Sequence, residues 1–209
     1  MKAIRHPEGG PFCWQLADAG QLDYLTLEYL AELTLSILAY QRIKNPDRGY
    51  VTEVPRVVGE LANHFERQNS LKLITNGGGM NPVGCVVATA KVLVDAGLGQ
   101  VRLAAVAGDD ILMNLDALID DGEHFDHFET GKPLVGLRKK IVSANAYMGA
   151  AGICDALEQS ASIVITGRVA DASLVVGPAI HEFDWAFDSW DPLAAATVAG
   201  HLIECGAQV

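Results

Sequence analysis

The chain has 209 residues, half of them hydrophobic and a fifth charged, which excludes a disordered chain and suffices for one sizeable core. With 15 basic against 26 acidic residues the formal charge is −11, which argues against an electrostatic hold on nucleic acid or on an anionic membrane surface. An anionic ligand would have to be held by local dipoles or single basic side chains.

Residues 1–20 show no period and carry Pro7, Gly9, Gly10, Pro11 and Gly20, so they are expected to be irregular, with a single α/β domain over residues 21–209. The N-terminus has no apolar signal segment and no membrane-length run follows, which predicts a cytoplasmic protein. Leu22 to Thr26 reads as a short strand and Glu28 to Arg42 as a helix, with apolar residues recurring at three and four. Asn45-Pro46-Asp47-Arg48-Gly49 breaks it, and Glu53 to Gln68 reads as a second helix.

Strands and helices then alternate. Strand 71–75 leads through Asn76-Gly77-Gly78-Gly79-Met80-Asn81-Pro82 to a helix over 83–96. Strand 101–106 leads through Gly108-Asp109-Asp110 to a helix ending near Asp120, and 121–138 reads as irregular or hairpin-like. Residues 141–147 alternate in strand fashion before a helix over 149–159. Strand 162–166 leads through Gly167-Arg168-Val169-Ala170-Asp171 to a helix over 172–180, and a last helix spans about 192–205. This order predicts a three-layer α/β domain, a mainly parallel sheet with helices on both faces. Ligands of such sheets collect outside the carboxyl ends of the strands, where these polar loops fall.

The glycine loop is the sharpest motif. Three adjacent glycines permit positive φ and close backbone approach, and Pro82 suits the first position of a helix. The first-turn N–H groups of that helix favour an anion, so Asn76, Gly77, Gly78, Gly79 and Asn81 are candidate ligand contacts. No Gly-Lys-Ser/Thr follows, and glycines at 77, 79 and 84 miss the dinucleotide fingerprint. Asp109 nevertheless ends the next strand, where a dinucleotide fold places its ribose-binding acid. The ligand class is therefore a phosphate-bearing molecule such as CoA or a nucleotide, and no cofactor is assigned.

Thr166 and Gly167 form a tight strand exit, and Arg168 has the fork geometry for a carboxylate or phosphate. Asp171 and Ser173 lie at a helix start, where they either cap N–H groups or meet a ligand. Asp110 is expected to cap the helix that follows it, and Asp109 to act as base or orienting acid. Ser143, Asn145 and Tyr147 share one face of their segment, available to a ligand or to one another. His124 and His127 lie in a solvated acidic loop, and His64, His181 and His201 read as structural. Cys13, Cys85, Cys154 and Cys205 show no zinc spacing, and the last three lie in apolar helical stretches. No metal set is assigned, and no nucleophile elbow or triad is present. Trp14, Trp185 and Trp190 are too scattered for a stacking platform.

Taken together, several stretches resemble the acyclic terpene utilisation family. They are Leu22–Thr26 with Tyr29–Thr34, Thr75–Pro82, Gly108–Asp110, Val142–Tyr147 and Ile165–Leu174. The resemblance runs from about Gly20 to the last residue. Members of that family usually open with a strand and a Gly-rich aromatic loop that residues 1–19 do not supply, and they continue beyond Val209. The resemblance thus implies a fragment whose site is incomplete. It also implies a catabolic protein, an enzyme or part of one, acting on a branched or terpenoid acyl substrate, plausibly a CoA thioester. In that reading Arg168 pairs with phosphate or carboxylate, Asp109 orients or deprotonates, and Asp171 assists. Two rivals stand beside it: a nucleotide-binding oxidoreductase domain with Asp109 on a ribose, and a non-catalytic subunit completed by a partner or by a second copy.

Overall fold

The computed structural model describes residues 2–5, 17–18, 20–68 and 70–205. Among them run five strands: β1 (Lys2–Arg5), β2 (Tyr24–Glu28), β3 (Lys72–Thr75), β4 (Leu103–Val106) and β5 (Ile163–Thr166). They form one sheet in the order β1-β2-β3-β5-β4, and every pairing is parallel. Strands buried on both faces need apolar residues at every position, and β5 supplies them: Ile163, Val164 and Ile165 are fully buried.

The period of two divides these side chains between two cores. Leu25, Leu27, Leu73, Ile163 and Ile165 meet one helical layer. That layer is made by α2 (Glu53–Glu60), α3 (Ala62–Arg67) and α4 (Pro82–Asp95), through Val54, Val58, Phe65, Cys85 and Leu93. Tyr24, Ile74 and Val164 meet the other, through Ile153 and Leu157 of α6 (Ala151–Glu158) and Leu174 of α7 (Ser173–Phe183). The final helix α8 (Trp190–Cys205) packs on α7 and on β1. Two helices lie apart from these layers. α1 (Glu32–Lys44) covers the glycine loop with Leu35, Leu38 and Ala39 against Met80, and α5 (Leu115–Asp120) follows β4. Among the described residues no helix is long and apolar enough to cross a membrane.

β3 hands the chain to α4 on the first face, whereas its neighbour β5 hands it to α7 on the second. The loops after these two strands therefore diverge and leave a crevice between their carboxyl ends, the switch point where open α/β sheets place ligands. Loop 76–81 and loop 167–172 are its two walls.

The α/β class and parallel sheet agree with the expectation, while several elements shift. Lys2–Arg5 form a strand paired to β2, not loop; Pro7, Gly9, Gly10, Pro11, Cys13 and Trp14 lie outside the described residues, as do residues 206–209. The first helix starts at Glu32 because β2 runs on to Glu28. The helix expected over 53–68 divides at Leu61, where ψ relaxes to 0°. Residues 141–147 do not form a strand. They cross the carboxyl ends of β4 and β5 and bond to loops at single points, Asp110 with Asn145 and Met148 with Val169, so no ladder propagates.

Pro82 starts α4 as anticipated, and Asn81, expected only as a ligand contact, caps it: its side chain accepts the Gly84 N–H at 3.0 Å. Gly97, at φ +80°, ends it in the left-handed conformation, with the Leu98 N–H donating to the Leu93 carbonyl at 2.8 Å.

A Cβ on Gly78 would lie 2.5 Å from the Thr166 carbonyl and 2.8 Å from Pro82, both backbone or ring atoms that cannot swing away. Gly78→Ala should therefore cost about 1–3 kcal/mol by urea denaturation. Gly149→Ala, with nothing within 4 Å, should stay within about 0.5 kcal/mol. Burial pushes the Cys85 thiol up to about 12, and burial with the Glu158 carboxylate pushes Cys154 up to about 11. Both are thus neutral at pH 8, and neither should alkylate in the native chain; peptide mapping after iodoacetamide checks this, with both sites reacting in urea.

Candidate functional site at the switch point

Arg168 stands at the centre of the crevice. It leaves β5 two residues after Thr166, is only 3% exposed, and its guanidinium collects partners from its own loop and from two other segments. One Nη1 donates to the Leu30 carbonyl at 3.1 Å and to Asp171 Oδ1 at 2.6 Å. Nη2 lies 3.6 Å from Glu32 Oε1. The Tyr147 ring covers the guanidinium, 4.1 Å from its carbon to the ring centroid, a cation–π contact. Burial opposes this charge, but Tyr147 and Asp171 more than offset it and hold the pKa above the usual arginine value. Its Nε is buried with no partner among the described residues.

Asp109 is 2% exposed and ties the crevice from behind. Its Oδ2 accepts the Arg168 backbone N–H at 2.8 Å and the Asn145 amide at 2.8 Å. Its own carbonyl accepts the Ala146 N–H at 2.8 Å. The carboxylate lies so close to Gly167 that a side chain at 167 would collide with Oδ1; this, rather than a ligand, is what requires glycine there. Both of these side-chain hydrogen bonds fall on Oδ2. Asp110 pairs with Arg42 at 3.1 Å and accepts the Leu112 N–H at 3.1 Å, a turn bond two residues on. It does not cap the helix as expected, because the chain first makes a short 3-10 turn over 112–114 and α5 starts only at Leu115, after Asn114.

The glycine loop is closed by its own packing. Residues 76–80 are all buried; a Cβ on Gly77 would strike Val54, and one on Gly79, at φ +51°, would strike Leu38. The N–H groups of Gly77, Gly79, Met80 and Asn81 donate to Thr75 Oγ1, Asn76, Gly49 and Gly78 respectively, at 2.8–3.1 Å. Asn81 also donates to the carbonyls of Pro46 and Arg48. Asn76, fully buried, joins the ends of β2 and β3: its Oδ1 accepts the Tyr29 N–H at 2.8 Å and its amide donates to Glu28 Oε1 at 2.7 Å.

Of the other candidates, Asn145 and Tyr147 reach the cluster, one on Asp109 and the other over Arg168. Ser143 is half-buried and lies back along the same segment. Thr166 is fully buried and turns its hydroxyl onto the Gly167 carbonyl at 2.8 Å. Ser173 is buried in the first turn of α7, its N–H on the Ala170 carbonyl. His124 and His127 stay in their exposed loop, the His127 ring accepting from the N–H groups of Glu129 and Thr130.

Two carboxylates of the cluster were not among the expected site residues. Glu28, 5% exposed, accepts the Leu30 N–H at 2.9 Å as well as the Asn76 amide. Burial raises its pKa, those two donors partly counter the shift, and the charges of Asp171 and Glu204 raise it further. Glu32 lies at the mouth, mostly exposed, and accepts the Tyr147 hydroxyl proton. That bond lowers the Glu32 pKa and raises that of Tyr147. The sequence signal for Glu28 was an acid closing the apolar run Tyr24–Leu27, a place where a buried charge needs a reason.

A cavity of about 260 Å³ opens on the same edge, between α1 and the segment after β4. Ala39, Ile43, Met80, Leu112, Met113 and Val142 make its walls, with Arg42 and Asp110 at the rim. Three larger cavities lie elsewhere: one along the β4 edge, one between α7 and α8, and one where the starts of β3 and β5 meet the end of α6.

Fold and site together define a doubly wound parallel α/β protein with a carboxylate-rich cluster around one buried arginine at its switch point. A family model for the acyclic terpene utilisation family protein AtuA matches residues 12–209, and the chain belongs to that family. No curated protein and no solved structure matches it.

Tyr147→Phe should return the Glu32 carboxyl upward toward its ordinary range, read by carbon-detected titration of the side chain. A depressed folded pKa contributes stability above the unfolded value and loses it as pH falls through the folded one. The wild type's advantage over Tyr147→Phe should therefore be present at neutral pH and vanish in acid. It should be small, since Glu32 is solvent-exposed.

Proposed function

We propose that the chain is the substrate-holding part of a protein of terpene catabolism and binds a branched acyl compound, as free acid or CoA thioester, over the carboxyl edge of the sheet. One observation carries this reading: residues 142–147 run from the apolar cavity to the arginine cluster. Val142 lines the cavity, Asn145 holds Asp109, and Tyr147 lies on Arg168 and Glu32. An amphiphile can then lay its branched end among Ala39, Ile43, Leu112 and Met113 and turn its polar end to Tyr147. A cavity of that size takes a short branched chain and not a whole CoA, so the nucleotide end would lie outside it.

The chemistry available at the polar end follows from the protonation states. Tyr147, with its pKa raised, is a neutral donor at physiological pH. A carbonyl oxygen that displaces Glu32 receives its proton as a hydrogen bond, with the Arg168 charge behind the ring to polarise it. Glu32, left ionised and exposed, is a proton acceptor at the mouth, and Asp171 with Asp109 keeps Arg168 in place. Support for the family's process comes from the match over residues 12–209. The tightly packed glycine loop, with four of its N–H groups bonded within the protein, and Asp109, with Oδ2 already bonded to Asn145 and the Arg168 N–H, favour the acyl reading over the dinucleotide alternative.

A thermal-shift series with a methyl-branched acyl-CoA, its straight-chain analogue, CoA alone and NAD(P) tests the proposal. The branched compound at a hundredfold excess over Kd should add about 2.7 kcal/mol, a rise of several degrees, and CoA alone little. Val142→Trp, which fills the cavity from an exposed wall position, should weaken that binding by about tenfold or more while leaving the unliganded melting temperature in place. A shift produced by NAD(P) and indifferent to Val142→Trp would overturn the assignment.

A further inference from the structure

The last turn of α8 carries His201, Glu204 and Cys205, and one ligand atom of each lies within 4.8 Å of the others. Cys205 Sγ is 3.7 Å from His201 Nδ1 and 3.0 Å from Glu204 Oε2. Positions i and i+4 of a helix stand one above the other on one face, so this pairing is a consequence of helical spacing and needs no rearrangement. A zinc ion about 2.3 Å from sulfur and about 2.0–2.1 Å from nitrogen spans an edge of about 3.6 Å when tetrahedral. The observed sulfur–nitrogen separation already matches it.

We infer that His201, Glu204 and Cys205 form a binding site for a zinc-type divalent cation, with a fourth position open to water or to a ligand. The donor set of imidazole nitrogen, thiolate sulfur and carboxylate oxygen suits borderline-soft Zn²⁺ rather than Mg²⁺ or Ca²⁺. The group also lies at the C-terminal, electronegative end of a sixteen-residue helix, which favours a cation. In the free chain Cys205 directs its thiol proton at Glu204. The metal takes that proton's place, the proton passes to solvent, and sulfur and carboxylate become ligands together.

The position in the fold gives the site a setting. Gly200, one residue before His201, packs so closely on Ala172 that a Cβ would lie 2.8 Å from its carbonyl. That carbonyl follows Asp171, the partner of Arg168, so the end of α8 abuts the start of α7 at the carboxyl edge of the sheet. The field of Glu204 is also felt by Glu28. The cation would sit at that edge. Two of the three ligands read as ordinary helix residues in the sequence, because neither a Cys pair nor a His pair frames them.

Titration of the reduced, full chain with Co²⁺ tests the site independently of any acyl ligand. One equivalent should produce visible d–d bands of a four-coordinate ion and a near-ultraviolet thiolate-to-cobalt band. Cys205→Ser should abolish the charge-transfer band, His201→Ala should weaken binding on the order of tenfold or more, and Cys13→Ser, Cys85→Ser and Cys154→Ser should leave both features. Zn²⁺ should displace the colour and protect Cys205 from iodoacetamide. That second measurement uses the unmutated chain and so does not depend on the variants folding. A charge-transfer band that survives Cys205→Ser, or Cys205 alkylated equally fast with and without Zn²⁺, would overturn the proposal.

Discussion

A guanidinium removed from water costs several kcal/mol unless charges and hydrogen bonds meet it, and Arg168 is removed almost completely. Its partners come from wherever the chain can bring an acceptor: the carbonyl of Leu30 after β2, Asp171 ahead of α7, Glu32 at the start of α1, and the ring of Tyr147. Asp171 lies in the same loop, but the 30–32 stretch and Tyr147 are distant in sequence and meet Arg168 only at the crevice. Meanwhile the backbone of the same residue is held by Asp109 from the loop after β4. One residue thus fastens four loops, and the shape of the carboxyl edge depends on that arginine staying charged and buried. Removing either of its carboxylate partners leaves the other charges under-compensated, which is why such clusters behave as units rather than as sums of pairs.

The glycines at 77–79 serve the same edge in a different way. Each lets a neighbour approach where a methyl group would collide: Val54 of α2, the Thr166 carbonyl of β5, and Leu38 of α1. Close approach draws the two walls of the switch point together and seats α1 on the sheet. Four of the loop N–H groups, those of Gly77, Gly79, Met80 and Asn81, are spent on Thr75, Asn76, Gly49 and Gly78, which leaves fewer donors for the anion cradle that a Gly-rich βα turn invites. The polar capacity of the edge passes instead to Tyr147 and Glu32, side chains that stand outward from the fastened loops. Close packing by itself suffices to require glycine at 77, 78 and 79.

How much of this was legible beforehand depended on the range of the interaction concerned. β5 and the helices α4, α6 and α8 could be read because their signals are local: an apolar run, Pro82 after Asn81, Gly97 at a left-handed end. Arg168, Asp109, Asn145 and Tyr147 could be named as polar residues at strand ends without knowing that they touch. Glu28 and Glu32 were missed because the start of α1 was placed four residues early, which turned a strand-end acid into an ordinary first-turn helix residue. The segment 141–147 misled for a related reason. Its alternation is real, but the period of two there serves contacts with Asp109 on one residue and Arg168 on another, and only tertiary structure separates that from a ladder.

Net charge offers a last constraint. A chain at −11 gathers Glu28, Glu32, Asp109, Asp171 and Glu204 around or beside Arg168, although like charges within a Debye length repel and burial worsens the repulsion. Two devices keep the arrangement tolerable. Hydrogen bonds from Asn76, Asn145, Tyr147 and the Leu30 and Arg168 N–H groups spread the charge over donors, and the raised pKa of Glu28 lets it shed its charge more readily than an exposed acid. An edge built this way is better suited to gripping a substrate through its apolar portion and one neutral phenol donor than through its anionic groups.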